Sequence, residues 1–435
     1  MRISLLEKIN NKSALVGVIG LGYVGLPLAV EIAKAGYRTI GYDVQSQKVE
    51  MVNEARNYID DIDPIDLENV VKNGRLRASS NFESISSLDC VIMCVPTPLD
   101  EYFQPDISYI IRAAQEISKY IHKDMLVILE STTYPGTTED VVKPILERSG
   151  LKCGEDFYLA FSPERIDPGN KTYKTHNTPK VVGGVTPKCT KTAALLYKNV
   201  LNAEIFEVSS PKVAEMEKIH ENTFRNVNIA LANEMAIICD KMGIDVWEVI
   251  EAAKTKPYGF MPFYPGAGVG GHCIAVDPFY LTWKTREFGY HTKLIETAGE
   301  INNSMPDFVL DRTMKILNRF GIALNGSKVF VLGAAYKPDI DDVRESPALK
   351  VIDLLVKNGA DLNYNDPYVQ RFKYKGHEYH SVSLSAEILK ESDLVMITTA
   401  HSDYDYDFIQ RYSKYIFDTK NAMKNIKVRT NIENL

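Results

Sequence analysis

The first 200 residues alternate short apolar runs with amphipathic stretches, and this alternation leaves few folds open. Five runs are rich in Val, Ile and Leu, namely SALVGVIG, RTIGYD, DCVIMCVP, DMLVILEST and DFYLAFSP. Strands of a parallel sheet are buried on both faces and therefore read as continuous apolar runs of this kind. The pattern predicts a doubly wound α/β domain, in which helices cover both faces of a parallel sheet.

A long helical pattern follows these strands. Pro211 suits the first helical position behind Ser210, and Gly243 suits the end of the helix. The ~33 residues between them would span about 50 Å at 1.5 Å per residue, so the helix is expected to leave one domain and enter another. Strand patterns return after about residue 325, in SKVFVLGAAYK, DLNYNDP, DLVMITTAH and KYIFDTKN, with a helix pattern in ALKVIDLLVKNGA.

The predicted fold is therefore α/β, with two Rossmann-like doubly wound domains joined by a long central helix and a small helical middle domain. A chain of 435 residues exceeds one ordinary core, and three domains are expected. We place them at residues 1–209, 210–325 and 326–435. The small and apolar residues in the second half of the long helix indicate burial against other helices and against a second subunit, in a homodimer or a higher homo-oligomer.

Composition excludes several classes of function. The net charge of −7 argues against a nucleic-acid partner, which needs a basic face. The amino-terminal sequence lacks the pattern of a secretion signal, and no apolar run approaches ~18 residues, so we expect a cytoplasmic protein without a membrane partner. The six cysteines form no CxxC pair and no His/Cys spacing that suits zinc, and no metal site is predicted.

The motif GLGYVG follows a predicted strand and opens a predicted helix. Gly20 permits a tight turn, Gly22 lets the backbone approach a pyrophosphate, and Gly25 lets the helix pack close to the strand. Alone, the motif fits a purely structural turn as well. Asp43 stands 18 positions beyond Gly25, where a carboxylate accepts hydrogen bonds from the adenosine ribose and repels a 2′-phosphate, which favours NAD over NADP. Lys48 fits the same ribose or phosphates, or a solvated surface.

A second glycine-rich stretch, GAGVGGHCIAVD, carries Cys273. An aldehyde has no hydride to give until a nucleophile adds to it, and a thiolate forms a thiohemiacetal that can be oxidised to a thioester. The glycines would let main chain lie against a ligand and present amide donors, and cations or amide dipoles would lower the thiol pKa. A buried, inert thiol is the alternative for Cys273, and His272 fits either a helper or a packing group.

The long helix offers partners for this thiol. Lys218 and Asn222 are four residues apart and so project from one helix face. The ammonium of Lys218 could stabilise an alkoxide or a thiohemiacetal oxygen, and the amide of Asn222 could donate to the same oxygen. A solvated helix face is the alternative interpretation of this pair.

Together, these pieces resemble the UDP-glucose/GDP-mannose dehydrogenase family nearly from end to end. The resemblance rests on seven blocks in the family's order: GLGYVGLPLA, VPTP, ESTTYPGTTE, SPERIDPG, EMEKIHENTFRNVNIALANE, FYPGAGVGGHCIAVDP and KPDIDDVRES. It implies a four-electron oxidation of a sugar C6 alcohol to a carboxylate with two NAD per turnover. It also implies a UDP-sugar substrate held by the carboxyl-terminal domain, with the product used in surface polysaccharide or glycan synthesis.

The resemblance assigns roles by position. The catalytic residues it implies are Cys273 as nucleophile, Lys218 and Asn222 as oxyanion stabilisers, Asp277 as the carboxylate that positions water or holds the lysine, and Glu164 and Thr132 as groups that order the hydrolytic water. The implied cofactor residues are Gly20, Gly22, Tyr23, Val24, Gly25, Asp43, Lys48, Pro96, Thr97, Thr132 and Arg344. The implied substrate residues are Glu164, Arg165, Lys218, Asn222, Phe263, Tyr264, Gly266, Gly268, Gly270 and Lys337.

One departure from the family pattern bears on the substrate. Relatives that act on UDP-glucose carry a second acid four positions beyond the glutamate, where this chain has Pro168, and Asp167 is the neighbouring candidate to replace it. The pattern PERxDPG resembles the branch that oxidises UDP-N-acetylhexosamines. UDP-GlcNAc is the substrate that this likeness favours, with UDP-ManNAc and UDP-glucose as alternatives. A non-catalytic NAD-binding redox sensor is the alternative of another class.

Overall fold

The structure is a computed structural model that describes residues 3–100, 104–167, 169–170, 172–271 and 273–435. The chain forms two compact units, Met1–Glu221 with Phe279–Tyr290 and Asn222–Pro278 with His291–Leu435. The boundary after Glu221 lies inside one continuous helix, as expected for a helix too long for a single domain.

An eight-stranded sheet forms the centre of the amino-terminal unit, in the order β3-β2-β1-β4-β5-β6-β7-β8. Apolar clusters cover both of its faces, and strands β4 to β6 are buried throughout, as their continuous apolar runs predict. The strands are β1 (Leu15–Ile19), β2 (Arg38–Tyr42), β3 (Leu76–Ser79), β4 (Cys90–Met93), β5 (Leu126–Leu129), β6 (Tyr158–Phe161), β7 (Lys180–Gly184) and β8 (Ile205–Val208).

Seven α-helices accompany this sheet among the described residues. They are α1 (Leu5–Asn10), α2 (Gly25–Lys34), α3 (Ser46–Asn53), α4 (Pro64–Lys72), α5 (Ser108–Ser118), α6 (Lys143–Glu147) and α7 (Pro187–Val200), with a 3₁₀ turn at Phe82–Ser87 and a π-helical turn at Thr137–Val142. Side-chain caps fix several starts: the Asp63 carboxylate accepts from the Ile65 amide at 2.9 Å, and Pro64 occupies the first turn of α4.

One pair of strands departs from the predicted parallel sheet. Strand β7 runs antiparallel to β6, with Ala160 opposite Gly184 and Phe161 opposite Gly183, while the other neighbouring pairs of this sheet are parallel. A parallel neighbour needs a crossover of a dozen or more residues, usually helical, whereas the described residues of the loop between β6 and β7 include no helix. That loop carries the predicted site residues Glu164 and Arg165.

The predicted long helix is confirmed as α8 (Pro211–Met242), which has 32 residues. Pro211 begins it, and Gly243 follows it with a φ of 68°, a conformation that glycine adopts at little cost. Three further α-helices follow, namely α9 (Val246–Lys254), α10 (Asp277–Thr285) and α11 (Lys293–Arg319), with a 3₁₀ turn at Arg286–Phe288.

The carboxyl-terminal region is a second parallel sheet, in the order β10-β9-β13-β14-β15, beside an antiparallel hairpin of β11 and β12. The strands are β9 (Lys328–Leu332), β10 (Asp361–Asn365), β11 (Arg371–Tyr374), β12 (His377–His380), β13 (Leu394–Ile397), β14 (Ile416–Asp418) and β15 (Ile432–Asn434), and the helices are α12 (Pro347–Lys357), α13 (Ala386–Glu391) and α14 (Tyr406–Tyr412). Within the described ranges, no helix is both long and apolar enough to cross a membrane.

Candidate active site

The GLGYVG loop lies between β1 and α2, as predicted. A Cβ atom at Gly25 would lie 1.8 Å from the Gly20 carbonyl oxygen, so only glycine allows the helix to approach the loop this closely. A Cβ at Gly22 would have no atom within 4 Å. The space in front of Gly22 is therefore open to a ligand, and the loop fits the pyrophosphate of a dinucleotide.

Asp43 lies directly after β2 and braces this loop. Its Oδ2 atom accepts from the Leu21 amide at 2.9 Å, and Oδ1 accepts from the Gln45 amide at 2.9 Å. The Lys48 ammonium lies 3.8 Å from Asp43 Oδ2. Lys48 is thus an ion-pair partner of the carboxylate that the sequence assigns to the ribose.

The other predicted cofactor residues of this unit follow neighbouring strands. Tyr23 is exposed within the glycine loop, and Val24 caps α2. Pro96 is exposed and Thr97 is buried after β4, where the Thr97 carbonyl accepts a hydrogen bond from the Tyr280 hydroxyl. Thr132, which the family resemblance assigns to both the cofactor and the hydrolytic water, is half-buried and follows β5.

Glu164 lies in the loop after β6, and its orientation is fixed by several donors. Oε1 accepts from the amides of Arg165 and Ile166 at 2.8 and 2.9 Å, and Oε2 lies 3.4 Å from the Lys180 ammonium. Burial alone would raise the pKa of Glu164, but attraction to Lys180 and Lys218 and the backbone hydrogen bonds hold the pKa below its usual value. Glu164 is therefore an ionised carboxylate at neutral pH.

The Arg165 guanidinium, predicted to bind substrate, is held by protein groups. It pairs with Glu221 and with Glu217, the latter at 3.4 Å, and donates to the Pro179 carbonyl at 3.0 Å. These contacts tie the Glu164 loop to α8. Burial and the neighbouring Glu221 carboxylate raise the pKa of Glu217 to about 7, so this pair of acids holds a proton near neutral pH.

Lys218 lies on α8 beside these acids. Its side chain is buried, with 6% of its surface exposed, and its charge lowers the pKa of both Glu164 and Glu221. The predicted alternative of a solvated helix face is therefore wrong for Lys218. A buried ammonium among carboxylates is suited to stabilise negative charge on a substrate oxygen.

Cys273 begins the turn that leads into α10. Its side chain is exposed, and its carbonyl accepts from the amides of Val276 at 3.1 Å and Asp277 at 2.8 Å. The chain's other cysteines are buried, apart from the half-buried Cys153. The alternative of a buried thiol is therefore wrong for Cys273. His272, beside it, lies outside the described residues, as does Pro168.

Asn222 on α8 binds the residue that starts α10. Its amide nitrogen donates to Asp277 Oδ2 at 2.6 Å, and both side chains are at least 96% buried, with exposed fractions of 4% and 2%. One turn further along α8, the Asn226 amide donates to the Ile274 carbonyl at 3.0 Å. Two asparagines of one helix thus hold the cysteine turn.

Asn226 belongs to a polar ladder that the sequence analysis missed. Asn302 of α11 donates to the Asn226 carbonyl at 3.1 Å and accepts from Asn233 at 2.9 Å, and Asn233 accepts from the Gly266 amide at 3.0 Å. The signal was available in the sequence, because Asn222, Asn226 and Asn233 recur on one face of α8 at helical spacing. The ladder fixes both ends of the glycine-rich stretch to α8 and α11.

The glycines of that stretch pack against protein as well as facing solvent. A Cβ at Gly270 would lie 2.6 Å from the Tyr336 Cβ atom, and one at Gly271 would lie 2.8 Å from the Tyr336 ring. The Gly271 amide donates to the Arg344 carbonyl at 3.1 Å. The expectation that these glycines chiefly serve a ligand is thus incomplete, because part of their role is close packing on the carboxyl-terminal sheet domain. Gly268 lies in the same stretch with a φ of 128°.

Three cationic side chains of this unit follow the glycine-rich stretch in the chain. The Lys337 ammonium lies 5.9 Å from the centre of the Tyr336 ring, and the exposed Arg344 binds Asp342 at 2.7 Å. Lys420 belongs to no motif that would identify it in the sequence. A Cβ at Gly266 would lie 2.4 Å from its ammonium, and burial lowers the pKa of Lys420 although Asp418 opposes this. A half-buried lysine aimed at a glycine-rich loop suits a phosphate.

Phe263 and Tyr264 precede the stretch and contact α8 and α9. Phe263 packs edge-on against Phe224, with ring centres 5.8 Å apart. The Tyr264 hydroxyl donates to Glu251 Oε1 at 2.8 Å, and its ring stacks on Trp247. In the ranges that the structure describes, no three His, Cys, Asp or Glu side chains form a metal-binding group.

Three family profiles match successive parts of the chain. They describe the NAD-binding, central and UDP-binding domains of UDP-glucose/GDP-mannose dehydrogenases, and they match residues 14–201, 212–304 and 330–425. The chain belongs to the UDP-glucose/GDP-mannose dehydrogenase family. It is an NAD-dependent dehydrogenase of nucleotide sugars, and the predicted arrangement of two Rossmann-type domains with a helical central domain is confirmed.

Members of this family are similar to the chain over almost their whole length. Protein CapL of Staphylococcus aureus is 38% identical over 93% of this chain and 95% of its own length. A UDP-N-acetyl-D-glucosamine 6-dehydrogenase of Pseudomonas aeruginosa is 38% identical over 90% of this chain and 92% of its own. The solved structure of a UDP-D-ManNAc dehydrogenase from Pyrococcus horikoshii has a TM-score of 0.88 at 34% identity and covers 97% of this chain and 98% of that one.

Proposed function

We propose that this enzyme oxidises the C6 alcohol of a UDP-N-acetylhexosamine, UDP-GlcNAc above all, to the carboxylate. Two NAD are reduced in each turnover, and a thiohemiacetal and a thioester form in succession on Cys273. The uronate product then supplies surface polysaccharide or glycan synthesis. The proposal combines the exposed thiol with relatives that are named for UDP-GlcNAc and UDP-ManNAc oxidation.

The exposure and bracing of Cys273 carry the mechanism. A dehydrogenase that stops at the aldehyde needs an acid or a base but no nucleophile. Here the thiol is exposed, and its turn is held by Asn226 and, through Asp277, by Asn222. Such bracing holds a nucleophile in a fixed geometry, which lowers the entropic cost of attack.

Each chemical step is assigned to side chains that can stabilise or position the reacting groups. NAD, when bound, accepts one hydride in each of the two oxidations. After the alcohol loses its hydroxyl proton and a hydride, the Cys273 sulfur adds to the aldehyde carbon, and Lys218 and Asn222 stabilise the negative oxygen. Loss of the second hydride gives the thioester. Glu164 and Thr132 order the water that cleaves the carbon–sulfur bond, and Asp277 positions that water or the Lys218 ammonium.

The diphosphate is assigned to cations of the carboxyl-terminal region. Lys337 follows β9 in the motif AYKPD, and Lys420 points its ammonium at Gly266. The chain carries a net charge of −7, so a doubly charged diphosphate needs local cations of this kind. We therefore assign Lys337, Lys420 and the stretch around Phe263, Tyr264, Gly266, Gly268 and Gly270 to the UDP-sugar.

The substrate assignment is tested by a panel of nucleotide sugars. UDP-GlcNAc, UDP-ManNAc, UDP-GalNAc, UDP-glucose and GDP-mannose are each incubated with excess NAD, and NADH and uronate are measured. The largest kcat/KM is expected for UDP-GlcNAc, with two NADH released per sugar consumed. UDP-glucose serves as the control that lacks the acetamido group.

Other outcomes of the panel separate the alternatives. A preference for UDP-ManNAc would correct the epimer and leave the chemistry intact. One NADH per sugar, with aldehyde as product, would overturn the four-electron mechanism. No turnover with any of the five sugars would favour a non-catalytic, redox-sensing protein.

We also propose that the enzyme is a homodimer joined through α8 and α9. An apolar groove of about 770 Å³ lies on this face, and its lining includes the exposed Leu231, Tyr258 and Met261, at 56%, 73% and 64% exposure. Contiguous apolar surface of this kind marks protein interfaces. The occupant we assign is the same face of a second chain.

Leu231→Asp is expected to halve the mass seen by sedimentation equilibrium, because it places a charge within the apolar contact. Leu294→Asp is the matched control, since Leu294 is 69% exposed on α11 and lies outside the groove lining. A dimer that persists in the Leu231 variant, or a monomeric wild-type protein, would reject this interface.

A further inference from the structure

Glu164 belongs to a buried charge cluster whose other two members, Lys180 and Glu130, have no role in the mechanism proposed above. Lys180 opens β7 with 5% of its surface exposed, and Glu130 follows β5 with 1% exposed. The Lys180 ammonium lies 2.8 Å from Glu130 Oε1 and 3.4 Å from Glu164 Oε2. Burial of three charges is costly, and replacement by apolar residues is often neutral for stability, so stability alone does not account for the cluster.

The two carboxylates of the cluster have different surroundings. Glu130 Oε1 also accepts from the Tyr197 hydroxyl at 2.6 Å, and its Oε2 lies 3.6 Å from the Cys94 sulfur. Cys94 in turn packs against the coenzyme loop, since a Cβ at Gly20 would lie 2.4 Å from the Cys94 carbonyl oxygen. Glu130 is thus anchored inside the sheet, whereas Glu164 lies in the loop that carries the proposed chemistry.

Charged groups from β7, α8, the end of β5 and the loop itself surround Glu164. Lys180 and Lys218 attract its carboxylate, Arg165 is adjacent, and Glu130 repels it. Tyr197 and Cys94 are further titratable neighbours among the described residues. Burial would lower the pKa of Lys180, but Glu130 and Glu164 outweigh burial and raise it, so the lysine stays charged.

The pKa values of the two buried acids are shifted in opposite directions. Burial raises the pKa of Glu130 above its usual value despite Lys180, whereas the pKa of Glu164 is held below its usual value. As the pH falls, Glu130 therefore takes up a proton before Glu164 does. The arrangement keeps the charge on the carboxylate that faces the proposed chemistry.

We propose that Lys180 is a positioning residue for Glu164, and that Glu130 is the buried counter-ion that fixes the lysine. The ammonium binds one carboxylate oxygen of Glu164 while two backbone amides bind the other, which keeps Glu164 ionised and in one orientation. This role rests on the proposed function, in which Glu164 orders the water that hydrolyses the thioester.

Lys180→Met removes the charge and keeps the length of the side chain. The acid limb of the kcat profile is expected to move upward by about one pH unit or more, because Glu164 without its cation takes up a proton at higher pH. The KM for NAD is expected to stay within about threefold, since the coenzyme does not contact Lys180 in this account. Below the new limb, thioester on Cys273 is expected to accumulate, because hydrolysis is the step that needs ionised Glu164.

Further variants separate positioning from folding. Glu130→Gln with Lys180→Met keeps the cluster at a net charge of −1, so it avoids an uncompensated pair of buried carboxylates; the limb is again expected to move upward, by less than in Lys180→Met because the repulsion from Glu130 is also removed. In Glu130→Gln alone, the Lys180 ammonium pairs only with Glu164. The acid limb of the kcat profile is therefore expected to move to lower pH. Lys180→Arg restores the cation and is expected to restore the wild-type limb. Lys188→Met, at an exposed lysine of α7, is the control and is expected to change nothing.

Wild-type pH dependence in both Lys180→Met and the double variant, with the wild-type enzyme releasing two NADH per sugar, would overturn the positioning role alone. Equal loss of rate at every pH, without thioester accumulation, would show a purely structural role and would also overturn it. One NADH per sugar from the wild-type enzyme would overturn the proposed function and this role with it.

Discussion

Cys273→Ser is expected to abolish uronate formation, with the overall turnover falling by roughly three orders of magnitude or more. A serine hydroxyl is a far weaker nucleophile than a thiolate at neutral pH, so the aldehyde is not converted into a species that can give up its second hydride. The first hydride transfer needs no nucleophile and is expected to survive. The measurement is single-turnover NADH formation, which should fall from two NADH per sugar to at most one.

Cys153→Ala is the matched control for this variant. Cys153 is half-buried and belongs to the amino-terminal unit, whereas the glycine-rich stretch belongs to the other unit. Its loss is expected to leave the NADH yield at two per sugar and the rate within about twofold. Uronate formed by Cys273→Ser at the wild-type rate would remove covalent catalysis from the account.

Lys218→Ala has the second-largest expected effect. Loss of one oxyanion donor costs about 3–4 kcal/mol of barrier in comparable sites, which is roughly 10² to 10³ in kcat. The buried position of Lys218 makes its charge effective, because the surrounding medium screens it less than water would. The measurement is kcat with saturating sugar and NAD, and the melting temperature reports whether the fold is retained.

Lys212→Ala tests whether any lysine on this helix has the same effect. Lys212 lies six positions earlier on α8, is exposed, and pairs with Asp140 at 3.3 Å. Its removal is expected to change kcat by less than about twofold, since a surface ion pair contributes little. A kcat for Lys218→Ala within twofold of the wild type would reject the oxyanion role of Lys218.

Local signals in the sequence predicted much of the fold. The long helix was placed between Pro211 and Gly243 because proline and glycine favour particular backbone conformations at the start and the end of a helix. The observed helix has the bounds Pro211–Met242. Strands β1, β2, β4, β5 and β6 were visible as apolar runs, but the buried β7 was missed, because its sequence KVVGG begins with a lysine and ends in two glycines. Strands β3 and β8 were missed because at most two of the four residues in each are buried, and α11 was missed because it is rich in polar residues and contains Pro306.

The site was predictable in part for the same reason. Motifs identify residues whose chemistry is recognisable in isolation, such as Cys273 or Asp43. The contacts that brace them join distant positions, for example Asn226 with Ile274, 48 residues away. Lys180 and Lys420 resemble ordinary surface lysines in the sequence, and only the fold shows that one lies between two buried acids and that the other faces Gly266.

The most direct test of the account is the covalent state of Cys273 during turnover. Wild-type enzyme is mixed with UDP-GlcNAc and NAD, quenched in acid within milliseconds and digested, and the Cys273 peptide is examined by mass spectrometry. A mass increase equal to the nucleotide sugar joined as a thioester is expected, and the increase should be larger in Lys180→Met at low pH. An unmodified Cys273 peptide at all quench times, in enzyme that releases two NADH per sugar, would contradict the account.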